Sequence, residues 1–187
     1  MIWANKNNER IKATPRNIAI CPICQKEVIA KCGSIKVWHW SHKSLKDCDD
    51  WAEPESEWHY GWKQLFPKEQ QEVKMGKHRA DIKTKSGTII ELQNSSIDIK
   101  TLRQREDFYG DMIWLLNGST IAKHFYFNIE TKYMRWLWKP AIVKYSNKPI
   151  FIDYKDKIVK YSEIKFGCTV FSKEQFLKLY GDIYGNQ

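Results

Sequence analysis

The sequence predicts a mixed α/β protein. A helix, three strands, a second helix and a further strand follow a small module rich in cysteine and histidine. Three observations predict this arrangement. Apolar residues recur at spacings of three and four over 54–66 and again over 99–109, the helical period, whereas the runs between and after them alternate or are continuously apolar, as strands are. Four of the five cysteines fall in the first fifty residues, around a Cys-x-x-Cys pair. The chain is 42% apolar and 14% aromatic, which supplies a sizeable core and excludes wholesale disorder.

The elements follow in order. Residues 1–17 are mostly polar, and Ile18-Ala19-Ile20 closes them as a short strand. Val28–Ala30 and Val37–Trp40 form two short strands around a Gly33-Ser34 turn. Glu53-Pro54 marks a boundary, giving a module over 1–52 and a core with its C-terminal extension over 53–187. Pro54 suits the first turn of a helix, Trp58, Trp62, Leu65 and Phe66 give that helix an apolar face, and Pro67 ends it. Strands are expected at Glu72–Met75, Arg79–Thr84 and Thr88–Gln93, with Ser86-Gly87 turning between the last two. A helix over Ile99–Tyr109 and a buried strand over Met112–Leu116 complete the core. Further strands are expected at Ala122–Asn128, Ala141–Tyr145 and Ile150–Tyr154. A last helix starts at Ser172, where Ser172 and Gln175 match a capping box and Phe176, Leu177 and Tyr180 supply an apolar face.

An odd count of cysteines argues against a disulfide framework. Cys21 and Cys24 instead form a knuckle that can hold two corners of a tetrahedral ion, and His39, His42 and Cys48 offer the rest. On an extended strand His39 and His42 point to opposite faces, so only one of them shares the ion. His42 lies beside a polar, lysine-rich loop that leads to Cys48 and is the preferred ligand. The expected set is Cys21, Cys24, His42 and Cys48 around a structural Zn²⁺, with Cys32 a small core residue. A thioredoxin-type redox pair is the competing reading, but it wants a βαβ setting around the Cys-x-x-Cys.

Asp81 and Glu91 lie on neighbouring candidate strands, and Gln93 follows Glu91 at the next position on the same face. Two carboxylates brought together in apolar sequence are costly unless a cation neutralises them. Oxygen ligands on rigid strands suit Mg²⁺ or Mn²⁺ beside a phosphodiester. The bland alternative is a solvated hairpin with charges on its outer face. On the first helix, Glu55, Ser56, His59 and Lys63 share one face and Glu57 falls on the far side. Taken alone, that face reads as solvated. In a functional reading, Glu55 or His59 reaches the outer shell of a metal and Lys63 contacts phosphate.

The formal charge of +9, spread along the chain, favours a polyanionic partner such as DNA. No apolar run approaches the length of a membrane span, and MIWANKNNERIK lacks the apolar core of a signal peptide, so a cytoplasmic protein without membrane contact is expected.

In one order the chain carries CPIC, HWSHK, ESEWHYGWK, HRADI, IIELQNSSI, REDFY and MIWLLNG. Over about residues 18–118 it resembles the competence protein CoiA-like nucleases of the PD-(D/E)XK superfamily. The resemblance fades after residue 120. It implies a zinc-ribbon-like module on a restriction-endonuclease-like αβββαβ core, and metal-dependent hydrolysis of DNA. Asp81 and Glu91 match the motif's acidic residues and would bind the catalytic Mg²⁺ or Mn²⁺. Gln93 stands where the superfamily usually has lysine, as in the family's E-x-Q. Glu55, Ser56, His59 and Lys63 match its E-S-x-x-H-x-x-x-K stretch, and Arg105, Glu106 and Tyr109 its R-E-x-x-Y stretch. The catalytic candidates are Asp81, Glu91, Gln93, Lys63, His59 and Glu55; the DNA-contact candidates are Ser56, Arg79, Arg105 and Tyr109. A non-catalytic, zinc-containing DNA-binding adaptor is the alternative function.

Overall fold

The hairpin that opens the chain is written in Asn7-Asn8. Both residues adopt φ near +50 to +64°, the left-handed region that a two-residue turn requires and asparagine tolerates. They join β1 (Trp3–Lys6) to β2 (Glu9–Lys12), two strands hidden in sequence by their polar outer face. With β3 (Ile18–Ile20), β4 (Glu27–Lys31) and β5 (His39–His42) these make a five-stranded antiparallel sheet in the order β2-β1-β3-β4-β5. Met1, Ala4, Ala13, Ala19, Cys21, Val28 and Trp40 form its core. The indole N–H of Trp40 donates to the carbonyl of Ile11 at 3.0 Å. Cys32 packs against this cluster, as expected of a small core residue.

This computed structural model describes residues 1–43, 48–51, 53–163 and 168–181; part of the lysine-rich loop after His42 lies outside the described residues. The chain divides into two units, Met1–Lys83 and Thr84–Gln187. The architecture is mixed α/β and mostly sheet.

The boundary expected at Glu53-Pro54 falls inside the first unit. Beyond it comes α1, which spans Glu57–Gln64 rather than starting at Pro54. Ser56 is its N-cap: its hydroxyl accepts the amide of His59 at 3.2 Å, and this cap fixes the start and leaves Glu55 outside the helix. Pro67 follows the helix, as expected. A 3-10 turn over Lys68–Gln70 leads into the antiparallel hairpin of β6 (Gln71–Met75) and β7 (His78–Lys83), turned by Gly76 at φ +56°.

In the second unit, β8 (Ile89–Gln93), α2 (Ile99–Tyr109) and β9 (Met112–Asn117) form a crossover, so that β8 and β9 run parallel. Every residue of both strands is buried, as parallel strands covered on both faces should be. From α1 to β9 the chain order is α-β-β-β-α-β, as the periodicity indicated. A short helix α3 (Gly118–Ile121) follows, then a separate two-stranded ribbon of β10 (Phe125–Asn128) and β11 (Tyr133–Trp136). Residues 122–124, expected to begin a strand, form a 3-10 turn instead.

Ala141–Tyr145, expected as a strand, is the short helix α4. A five-residue apolar run fits either state, and Pro140 at φ −58° presets the first helical turn. The sheet continues with β12 (Ile150–Tyr154) parallel to β9. The antiparallel strands β13 (Lys157–Lys160) and β14 (Val170–Ser172) follow, giving the order β14-β13-β12-β9-β8 within this unit. Helix α5 (Lys173–Tyr180) closes the unit, and the expected capping box is present between Ser172 and Gln175. Phe176 and Tyr180 of α5 pack on Phe151 of β12, with ring centroids 5.2 and 5.6 Å apart.

Candidate functional site

The knuckle between β3 and β4 is held by its own backbone. The Gln25 amide donates to the carbonyl of Cys21 at 3.0 Å, the Cys21 amide donates to Lys26 at 2.9 Å, and Gln25 takes φ +59° to close the turn. This brings the thiols of Cys21 and Cys24 to one side, where His42 from β5 and Cys48 complete a group whose ligand atoms all lie within 4.8 Å of one another. The Sγ atoms of Cys21 and Cys48 are 3.8 Å apart, and Cys24 Sγ is 3.2 Å from His42 Nε2. Zinc–sulfur bonds of about 2.3 Å at tetrahedral angles separate two sulfurs by roughly 3.8 Å. The residues therefore fit zinc, and this Cys₃His group could hold it. The Ile23 amide points at Cys21 Sγ from 3.4 Å, the support a thiolate takes in such a knuckle.

Both histidines of the motif sit on β5, and only His42 joins the group. His39 turns its Nδ1 to the carbonyl of Val37 at 2.8 Å. All five cysteines are free thiols. Burial holds the His42 pKa below its ordinary value, favouring the neutral ring that ligates. Burial, reinforced by the neighbouring Cys21 and opposed by the Asp49 amide, pushes the Cys48 thiol up to about 12. A bound cation is what makes such a crowded set of thiols ionise together.

The polar face of α1 is buried rather than solvated. Lys63 is only 2% exposed, and its Nζ lies 3.1 Å from Glu55, 3.2 Å from Glu72 and 3.0 Å from Asp81. An ammonium has three N–H donors, and three carboxylates take them. Burial alone would lower the Lys63 pKa; Asp81, Glu72 and Glu55 together outweigh it and hold it above the ordinary lysine range. Glu57, by contrast, is exposed. His59 is buried and its Nδ1 is 2.8 Å from the hydroxyl of Ser56, so the two expected helix residues partner each other.

Glu72 is the residue the sequence reading missed. Gln71 pairs with Ile82 and Val73 with Ala80, so the register sets Glu72 opposite Asp81. Like charges across a strand pair repel, and Lys63 bridges them. Glu72 also accepts the amides of Ile2 at 2.9 Å and Trp3 at 3.0 Å, which ties β1 to β6. Burial would raise its pKa, but Arg79 and Lys63 overcome this and hold it far below the usual carboxylate range. Its backbone takes φ +48°, a strained conformation for a non-glycine residue. Arg79 lies 3.9 Å from Glu72, and its pKa is raised because Glu72, Asp81 and Asp49 outweigh burial. A cavity of about 250 Å³ borders both features, lined among others by His42, Cys48, Asp49, Glu55 and Arg79.

In the second unit Glu91, on β8, is 3% exposed and its Oε2 accepts from Arg105 of α2 at 3.1 Å. Arg105 is therefore buried in an ion pair instead of standing on an open surface. Gln93 is buried on the same strand and its Nε2 donates to the carbonyl of Ser95 at 3.0 Å. Tyr109 packs edge-on to Phe108 at 5.2 Å, with little exposure. Glu106 binds the indole N–H of Trp114 at 3.0 Å, the Ser146 hydroxyl at 2.5 Å and the Asn147 amide at 3.1 Å, a structural tie between α2, β9 and the turn after α4.

Residues 3–50 match the family model described as competence protein CoiA, N-terminal domain. The match covers β1 to β5 and both halves of the Cys₃His group. No curated protein matches the chain significantly. No solved structure does so either. Among the described residues no helix is long and apolar enough to cross a membrane.

Proposed function

We propose that this chain is a metal-dependent DNA nuclease of the CoiA-like type, with a structural zinc in its first unit and a competence-linked role in DNA processing. The observation that carries the proposal is the match of residues 3–50 to the CoiA N-terminal model, followed in chain order by Asp81, Glu91 and Gln93 on consecutive strands β7 and β8. Asp81 and Glu91 are hard oxygen donors, the type that Mg²⁺ or Mn²⁺ takes, and each already lies within 3.1 Å of a basic side chain. When bound, the cation supplies Lewis-acid polarisation of the scissile phosphate and acidifies a water.

The chain's own residues supply the rest. Gln93 carries both an acceptor and two donors, so it can orient a water and contact a phosphate oxygen without adding charge. Lys63 has its donors taken by carboxylates, so its role is to hold Asp81 in place and offset its charge; contact with phosphate would require it to give up a partner. Arg105 does the same for Glu91. His59 and Ser56 fix the start of α1 and thereby the position of Lys63.

Nicking of supercoiled plasmid and of single-stranded DNA in Mg²⁺ or Mn²⁺ tests this. Asp81→Asn and Glu91→Gln keep size and hydrogen bonding, and each should cut activity on the order of a hundredfold or more, the scale of losing one electrostatic contact to the transition state. Wild-type rates in either variant would place catalysis elsewhere. One observation favours the second reading, a non-catalytic DNA-binding adaptor: both carboxylates are already neutralised by protein cations. Metal-dependent nicking that the two variants abolish excludes the adaptor; binding without any nicking supports it.

A further inference from the structure

The β10–β11 ribbon carries aromatic and basic side chains on its outward face, and neither the zinc group nor the carboxylates involve it. The two strands alternate cleanly. Phe125, Phe127 and Met134 point inward and are buried, with Phe125 and Phe127 packed edge-on against Tyr154. Tyr126 and Arg135, which face each other across the ladder, point outward. Tyr126 is 53% exposed, and the chain leaving β11 adds Leu137 at 69% and Trp138 at 56%.

The charge of the segment is one-sided. Residues 122–145 contain Lys123, Lys132, Arg135, Lys139 and Lys144 against the single acid Glu130, a formal +4 by that count of five less one. The cations sit among the rings. Lys144 lies 6.0 Å from the Trp138 ring centre and Lys139 5.7 Å from that of Tyr161, to whose hydroxyl it also donates at 3.1 Å. A cleft of about 410 Å³ is bordered by the cations Arg135, Lys139 and Lys144 against the one acid Glu163, by Trp138 and Tyr161, and by Trp136, whose buried indole N–H has no acceptor among the described residues.

From this arrangement we propose that the β10–β11 ribbon and the cleft beside it bind single-stranded nucleic acid, the rings stacking on unpaired bases and the lysines and Arg135 tracking the phosphates. Three features select this ligand. Exposed aromatic faces interleaved with cations are the two components a single strand needs, because every base offers a π-face and every nucleotide a negative charge. A duplex keeps its bases stacked on one another and could use only the charge. A protein partner would use the rings but needs no such excess of cations; the charge complementarity points to a polyanion. As the holding surface of the proposed nuclease this rests on the reading above, yet binding is measurable without turnover.

The test is fluorescence anisotropy of the full chain with a labelled oligothymidylate and with a duplex of equal length, without added divalent ions, so that failure of cleavage and failure of binding are read apart. The single strand should bind more tightly than the duplex. Tyr126→Ala and Trp138→Ala should each weaken it about tenfold, the scale of losing one stacked base. Arg135→Gln with Lys144→Gln should lower the slope of log affinity against log salt, since fewer counterions are released. These side chains are exposed, so the variants should melt like the wild type; a melting shift in any of them would be controlled by Tyr126→Phe and Trp138→Phe, which keep a ring and should keep binding. Wild-type affinity in the ring variants overturns the proposal. So does equal binding of duplex, or binding to anionic phospholipid vesicles that the ring variants lose while single-strand binding persists.

Discussion

Lys63 shows how far one side chain's meaning depends on residues distant in sequence. Its helix face reads as solvated until Glu72 and Asp81 arrive from the following hairpin and enclose it. The identity and spacing of Glu55, Ser56, His59 and Lys63 were legible; their burial was not, because Glu72 finds its amide partners at Ile2 and Trp3, some seventy positions away in the chain. Removing the cation strands three carboxylates. Lys63→Met should destabilise the protein by roughly 3–5 kcal/mol, the cost of breaking a buried ion pair, measured by urea unfolding. For the proposed nuclease activity, a loss in that variant would therefore report on folding as well as chemistry, and Asp81→Asn is the cleaner probe. The same cluster sets a pH window. The folded pKa of Glu72 is depressed, so its contribution is present above the ordinary glutamate range, about 4.3, and fades as pH falls toward the folded value. That of Lys63 is raised, so its contribution is complete below about 10.4 and fades as pH climbs toward the folded value. Stability should hold a plateau between these limits, and Glu72→Gln should flatten the acid limb.

At the scale of elements, the central part of the chain was the most readable. Helix α2 runs over the residues its periodicity gave, β9 is the continuous apolar run before Asn117-Gly118, and α5 starts at its capping box. These segments are long, or carry strong end signals. The strands overlooked, β1, β2, β11, β13 and β14, have three or four residues each and show alternation too briefly to be distinguished from loop. Two predictions belong here. Gly118 starts α3 where a Cβ would run into the carbonyl oxygen of Asp153 on β12. Gly118→Ala must push backbone against backbone and should cost about 1–3 kcal/mol, seen as a lower melting temperature. Ser172→Ala removes one arm of the capping box and should cost about 1 kcal/mol by the same measurement.

For the molecule as a whole, the metal group and the charge balance are the properties a single assay can read. Purified protein should carry one zinc per chain by elemental analysis, and Cys21→Ser should lose it. If zinc is bound, chelation should remove its contribution to folding, with the largest gain in amide exchange over β1 to β5. The cysteine and histidine spacing made this group readable in the sequence, and the preference for His42 over His39 holds: His42 lies in the group, while His39 turns its ring to the carbonyl of Val37.

Cys48 and Asp49 are adjacent, and their side chains serve different structures. The thiol belongs to the metal group; the carboxylate accepts the Arg79 amide at 3.0 Å and lies 2.8 Å from His78, which stacks flat on Trp51. One peptide link thus splices a redox-sensitive anchor to the strand that bears Asp81. If the group holds zinc, an oxidant that ejects it should slacken that splice within the same unit, and exchange protection at Arg79 should drop together with the knuckle rather than after it.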